Sequence, residues 1–553
     1  SQASHFTSTQ LEKVTATGNI VDATISPDGK YVACVMTEAG KQGLWVRQTA
    51  VANSTRIIPP TESSYRGLTF SKDGNYIYYV FSEANGKDSI LSRVPTFGGS
   101  VRQVKKDVDS PVSFSPDAKK FTYIRHDADK GEDALMIANE DGSSEQQIAS
   151  IKFPSHFSLR SAPAWSPDGK EIVMVTETAD DNGFYAKLGT IDLASKSEKL
   201  ISTQRWLEIA GVGWIPDGSG LVVSAQDTTS PFYHLWFVDV ALSKERRITS
   251  DLNDYLAVSM SVDPLALLTV QRQTLTNIWI EHKNDPGKAT PLTSGAGRFF
   301  DLRWTADNKI IYASDASGNA DIWEMAADGS NQQQLTAAAG RNYAPVASRD
   351  GKYVVFHSNR GGRWQIWRMG RDGSNPTLLT DGKEESNWPD ISPDGRWVFF
   401  EHIDGGAPKL WKVSIDGGPM VRMINSLALR PSISPDGKSI AYWQKDQTPN
   451  APWRIAVAPL EGSDPVKFLD VPQGLANGQS AIQFSPDGDT VTFIDLNNGV
   501  SKLISQPVDG SAPRVLTSIN KDLFYSFNQA SDGKLVMSRG LRTIDAALIS
   551  ERK

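Results

Sequence analysis

Side chains able to do chemistry are present in this chain, but their spacing sets up none of the familiar reactions. The seven histidines, His5, His126, His156, His234, His282, His357 and His402, are spread over 553 residues without ligand spacing. His357 and His402 follow equivalent strands and form a candidate metal pair; ordinary strand-end histidines are the plainer reading. No Gly-x-Ser-x-Gly elbow, phosphate-binding Gly-x4-Gly-Lys-Ser/Thr loop or His-Glu-x-x-His helix motif occurs. The acidic run Glu177-Thr178-Ala179-Asp180-Asp181-Asn182 could face calcium, yet it lacks the alternation of a calcium loop and reads as a solvated turn. The one cysteine, Cys34, sits in an apolar run and excludes a disulfide framework or a cysteine-rich metal site. No enzyme, cofactor or metal centre is expected from these residues.

The elements that must position any site repeat. Ser392-Pro393-Asp394-Gly395, followed by Trp397-Val398-Phe399-Phe400, has relatives from end to end. Proline presets the backbone for the second position of a type I turn, serine and aspartate bond nearby backbone groups, and glycine accepts positive φ. Such corners recur at Ser26, Ser71, Ser115, Ser166, Ile215, Ser261, Thr305, Ser348, Ser434, Ser485 and Ser531, giving twelve units spaced by about 42 to 51 residues. That period fits a four-stranded propeller blade of roughly 40–45 residues. Each corner leads into an apolar strand suited to a sheet covered on both faces. A third strand brings tryptophan at Trp45, Trp236, Trp279, Trp323, Trp367 and Trp411, which the periodicity makes packing residues between blades.

The sequence therefore predicts an all-β chain of two consecutive six-bladed propellers, residues 1–284 and 285–553, each closed by its own N-terminal outer strand. In this reading residues 10–15 and 289–293 are those outer strands, 276–281 is the third strand of the first ring's sixth blade, and 546–549 is the third strand of the last blade. The length requires more than one core. A net charge of −7, with the 57 basic residues scattered, argues against nucleic acid. No apolar run approaches the ~18 residues of a membrane span, and Ser1-Gln2-Ala3-Ser4-His5 has no leader character. The expectation is a soluble body that is a processed product or a piece of a longer anchored protein.

The corner, the Ile-Trp strand and the Asp-Gly-Ser turn together resemble the TolB-type propeller repeat. More narrowly, the run from Val21 to Lys30, the stretch Gly43-Leu44-Trp45-Val46-Arg47-Gln48 and the tail Ser538-Arg539-Gly540 with Ala547-Leu548-Ile549-Ser550 resemble one architecture. It is the C-terminal propeller region of membrane-anchored bacterial serine/threonine protein kinases and related transmembrane winged-helix regulators. The resemblance implies a periplasmic or otherwise extracytoplasmic sensor whose effector domain lies upstream. No kinase Gly-rich loop, His-Arg-Asp or Asp-Phe-Gly segment is present, so kinase activity does not carry over.

Propeller architecture places candidate binding residues where loops enter the inner strands. In the first ring these are Asp22, Tyr65, Arg66, Asp109, Arg160, Glu208, Asp254 and Tyr255; in the second, Phe300, Arg303, Tyr343, Trp388, Arg430 and Tyr525. Mixed charge with aromatics suits a protein or peptide partner, or a small ligand. The structural alternative is inter-blade salt bridges and channel filling. Longer excursions at 177–185, 444–453 and 471–480 interrupt the period and are candidate partner loops. The expected function is non-catalytic sensing or protein interaction. A propeller hydrolase or lyase and a structural envelope scaffold are the rivals.

Overall fold

The corner turns set the geometry. In the computed structural model, Ser392 Oγ donates to Asp394 Oδ1 at 2.6 Å, and that carboxylate accepts the Arg396 N–H at 3.1 Å. The Trp397 N–H returns to Ser392 Oγ at 2.9 Å, and Gly395 takes a φ of 73°. Serine and aspartate thus satisfy the backbone groups that a tight corner leaves unpaired. The same arrangement recurs at Ser26, Ser71, Ser166, Ser348, Ser434 and Ser485. Where glycine is missing, Ala118 and Asn308 take φ values of 61° and 60° in its place.

The structure describes residues 5–83, 88–180, 183–285, 287–337, 339–446, 451–462, 465–469, 471, 480–497 and 500–552. Among these, the regular elements are β-strands in antiparallel sheets, mostly of four strands joined in sequence order. Ile20–Ile25, Tyr31–Glu38, Lys41–Gln48 and Ser54–Thr61 form one such sheet. The second strand of each is almost wholly buried, and the core lies between successive sheets. Ala33, Val35, Leu44 and Val46 of one sheet pack on Leu68, Phe70, Ile77 and Tyr79 of the next. The third-strand tryptophans take part in this packing: Trp45 and Trp236 are buried, and Trp279, Trp323, Trp367 and Trp411 lie against clusters built from two sheets. This is an all-β propeller architecture of stacked blades.

Two compact units divide the chain. The first takes in Ser1–Asp180, Phe184–Gln273 and Thr543–Lys553, and the second Asp181–Gly183 and Thr274–Arg542. The division departs from the expected break near residue 285, because two strands run straight on where hairpins were expected. Leu267–Glu281 is continuous: its start pairs with Ser259–Met260, and its end with Thr290–Pro291. Leu535–Glu551 is continuous too, pairing first with Leu523–Gln529 and finally with Thr9–Lys13.

The third strands of the two closing sheets are therefore exchanged relative to the sequence reading. Residues 276–281 serve the second unit and 543–551 the first. The physical reason lies in residues 270–276, Val-Gln-Arg-Gln-Thr-Leu-Thr, which hold no Gly, Pro, Asn or Asp to make a hairpin turn. The outer strands are placed as expected, Thr9–Lys13 in the first unit and Thr290–Pro291 in the second.

Candidate functional site

In the second unit the inner strands Phe299–Trp304, Asn342–Ala347, Ser386–Ile391 and Leu427–Ile433 share a defect. Each shifts register against its neighbour, between Phe300 and Arg303, Tyr343 and Val346, Asn387 and Asp390, and Leu429 and Ser432. The residue inside each bulge, Asp301, Ala344, Trp388 or Arg430, has a φ of 53°, 49°, 53° or 57°. A non-glycine side chain in this region costs on the order of 1–3 kcal/mol, and such strain gathers at functional sites. In three of the four the next residue is a proline, Pro345, Pro389 or Pro431, which has no N–H for the broken ladder to leave unpaired. Bulges re-aim side chains.

These bulges line one cavity of about 440 Å³, its open mouth included, together with 481–483 and Ser526. Arg303, Trp388 and Arg430, all anticipated from sequence, meet here. The Arg430 guanidinium lies 3.2 Å from the centre of the Trp388 ring. The Trp388 backbone N–H donates to His357 Nδ1 at 3.2 Å, and the His357 ring meets the indole edge-on at 4.9 Å. Tyr343 stands beside them, 5.8 Å from both Phe300 and His357. Anchored from below in this way, the indole is a fixed platform with a cation on its face.

Two carboxyls, Glu401 and Asp301, act on that cation, and a third, Asp390, stands with Arg303. Glu401, 7% exposed, accepts the Arg430 backbone N–H at 2.5 Å, and burial pushes its carboxyl up to about 7 against the pull of the Arg430 charge. Asp301 accepts the Ala344 N–H at 3.0 Å. Burial raises it as well, while Arg430 and Arg303 work the other way. Asp390, which accepts from Ile433 at 2.8 Å and Ile391 at 3.0 Å, is raised for the same reason and is opposed mainly by Arg303. Burial also holds His357 down to about 3, with Arg430 adding to the effect, so its ring is neutral and Nδ1 accepts. The cavity presents two guanidiniums, the Asp301 carboxyl and an aromatic plane, with Glu401 held on the Arg430 backbone and Asp390 on that of Ile433, a set that can pair with charged or dipolar groups of an extended chain.

The other sequence candidates are placed differently. Tyr525 is half-buried, with the Arg542 guanidinium 5.6 Å from its ring. In the first unit, Tyr65 is a core residue against Tyr79 and Phe81, and Tyr255 is fully buried with its hydroxyl donating to Asp251 at 2.7 Å. Both serve packing. Arg66 is exposed, and Asp109 accepts the His126 N–H at 2.9 Å. Arg160 is ion-paired with Glu208, and Asp254 with Arg272. Asp22 accepts the Ala23 N–H at 2.8 Å and is pushed up to about 7 by burial.

His357 and His402 do not share a partner: His402 bonds Ser386 at 2.9 Å and packs on Trp411. Among the described residues no His/Cys/Asp/Glu cluster could hold a metal ion. Asp181 and Asn182 of the acidic run, with 447–450 and 472–479 of the longer excursions, lie outside the described residues. Sequence reasoning missed Asp301 and Glu401. The residue four positions before Ser348, Ser392 or Ser434, followed by proline, marks three of the four bulges, but it points to neither Asp301 nor Glu401.

Residues 267–427 match the family model of the TolB β-propeller domain. The crystal structure of TolB from Acinetobacter baumannii is 15% identical, with 68% of this chain and 82% of that chain covered and a TM-score of 0.36. Putative TolB from Agrobacterium tumefaciens is 17% identical, covering 72% and 93%, with a TM-score of 0.26. The tricorn protease is 12% identical, with 94% of this chain and 59% of that chain covered and a TM-score of 0.31. No curated protein matches.

Proposed function

Taking the TolB-like β-propeller repeat as premise, we propose that this chain is a non-catalytic protein-interaction module that binds a segment of a partner protein in the central cavity of its second unit. In this reading the units are two six-bladed rings, and the channel mouth of the second is the recognition site. The observation that carries the reading is the Trp388–Arg430 platform, held in strained bulges beside Asp301 and Arg303, with Glu401 bonded to the Arg430 backbone. Aromatic and arginine anchors in desolvated pockets dominate protein recognition. A fixed aromatic with carboxyls and guanidiniums around it offers an extended peptide both a stacking surface and partners for its amides and charges.

The finer assignment follows the sequence resemblance: a periplasmic or extracytoplasmic sensory part of a larger signalling protein, with its effector domain on another segment. No helix among the described residues is long and apolar enough to cross a membrane.

Selection of a random peptide library on the purified chain, followed by anisotropy titration of the selected peptide, tests the binding claim. Trp388→Ala and Arg430→Ala are each expected to weaken binding by about thirtyfold, the ~2 kcal/mol of a recognition hot spot. Peptides that bind both variants as tightly as the parent would move recognition elsewhere on the molecule.

A further inference from the structure

The first unit holds a second cavity, about 800 Å³ with its open mouth, that the reading above does not use. Its floor is apolar, with Phe157 and Leu159, and Phe153 stands at it with 82% of its surface exposed. An exposed large aromatic beside an apolar hollow is surface that folding alone does not explain.

The polar lining has one character. His126 Nδ1 lies 2.6 Å from Asp133 Oδ1, and the buried Asp133 is itself fixed by the Phe157 N–H at 2.9 Å. His156 Nδ1 lies 3.7 Å from Glu177 Oε2. A carboxylate hydrogen-bonded at Nδ1, as at His126, draws the proton of a neutral imidazole to that nitrogen and leaves Nε2 as an acceptor; the 3.7 Å His156–Glu177 contact is beyond hydrogen-bond reach and sets no tautomer. Neither Nε2 has a hydrogen-bond partner among the described residues.

The guanidinium of the lining, Arg160, is already tied to Glu208, and Asp109 sits behind His126 on its backbone N–H. Two carboxylates, Asp133 and Glu177, thus line the cavity, and Glu208 neutralises its guanidinium. Ser155 and Thr178 bond each other at 2.6 Å. The cavity offers acceptors and negative charge over an apolar floor.

We propose that this cavity binds an arginine or lysine side chain of a basic peptide segment. The aliphatic stem lies along Phe157 and Leu159, and the cationic head donates to Glu177 and to the free imidazole nitrogens. The Phe153 face adds a cation–π contact. This site is separate from the Trp388 platform and does not depend on it.

The test uses the full chain and a fluorescein-labelled, end-blocked peptide of alternating glycine and arginine, titrated at about 150 mM salt, where long-range attraction is screened within about 8 Å. Glu177→Gln and His156→Ala, both at partly exposed positions, are each expected to weaken binding at least about tenfold. Trp388→Ala should leave it unchanged, and the same peptide with aspartate in place of arginine should not bind. His126→Ala, with its folding checked by circular dichroism, should behave like Glu177→Gln. Undiminished binding to the Glu177 and His156 variants, or equal binding of the aspartate peptide, overturns the proposal.

Discussion

Glu401 and His357 flank the same Arg430–Trp388 pair and titrate in opposite senses. For Glu401 the folded-state pKa, about 7, lies above its ordinary 4.5, so the folded protein holds the extra proton between those values and stability falls as pH rises through the window. For His357 the folded-state value, about 3, lies below 6.5. Here the unfolded chain holds the extra proton, and the contribution, complete above pH 6.5, is lost as pH falls toward 3. Glu401→Gln keeps an acceptor for the Arg430 N–H and removes the charge. Urea titrations at stepped pH should show the decline between about pH 4.5 and 7 flattened in this variant; an unchanged pH profile would place the Glu401 carboxylate in ordinary solvent.

Residues differ in how far sequence could place them. Arg303, Trp388 and Arg430 were named because they fall where loops enter the inner strands, and the three line one cavity. Tyr65 and Tyr255 were named on the same ground yet serve the core, since whether an aromatic faces channel or neighbour depends on a bulge of one residue. Asp301 and Glu401 gain their character from burial against groups 43 and 29 positions away, Ala344 and Arg430, and no local pattern announces it.

At the scale of the element, the corner and the strand face different tests. Asp394→Ala removes acceptors for Ser392 and Arg396 at a single corner among many, and should cost only about 1 kcal/mol in chemical denaturation. Gly540 is another matter. A Cβ there would stand 1.9 Å from the Leu275 carbonyl oxygen and 2.7 Å from the Thr276 Cα, both backbone atoms of the adjoining strand in the same unit. Gly540→Ala should therefore destabilise the second unit by about 3 kcal/mol or more, since the strand must part from its neighbour. A loss comparable to that at Asp394 would mean the closing sheet is looser than its backbone contacts imply.

The whole molecule carries what the repeat could not announce. Period and corner identified the blades, but which strand completes which sheet is a long-range pairing. The continuous strands Leu267–Glu281 and Leu535–Glu551 pass through points where a hairpin reading needs a turn. The first unit consequently relies on 543–551 to join its closing sheet to Thr9–Lys13. Truncation after Arg542 should raise hydrogen exchange throughout 9–13 and 254–273 while leaving the sheets of 299–529 protected; uniform protection in the first unit would contradict that closure.

Hydrogen exchange also gives the most direct test of the central claim, when the chain is compared with and without saturating amounts of its selected peptide. The account predicts new protection at the bulges in 299–304, 342–347, 386–391 and 427–433, abolished by Trp388→Ala. Protection confined to outer strands, or to the first unit, with those four bulges unchanged, would contradict it.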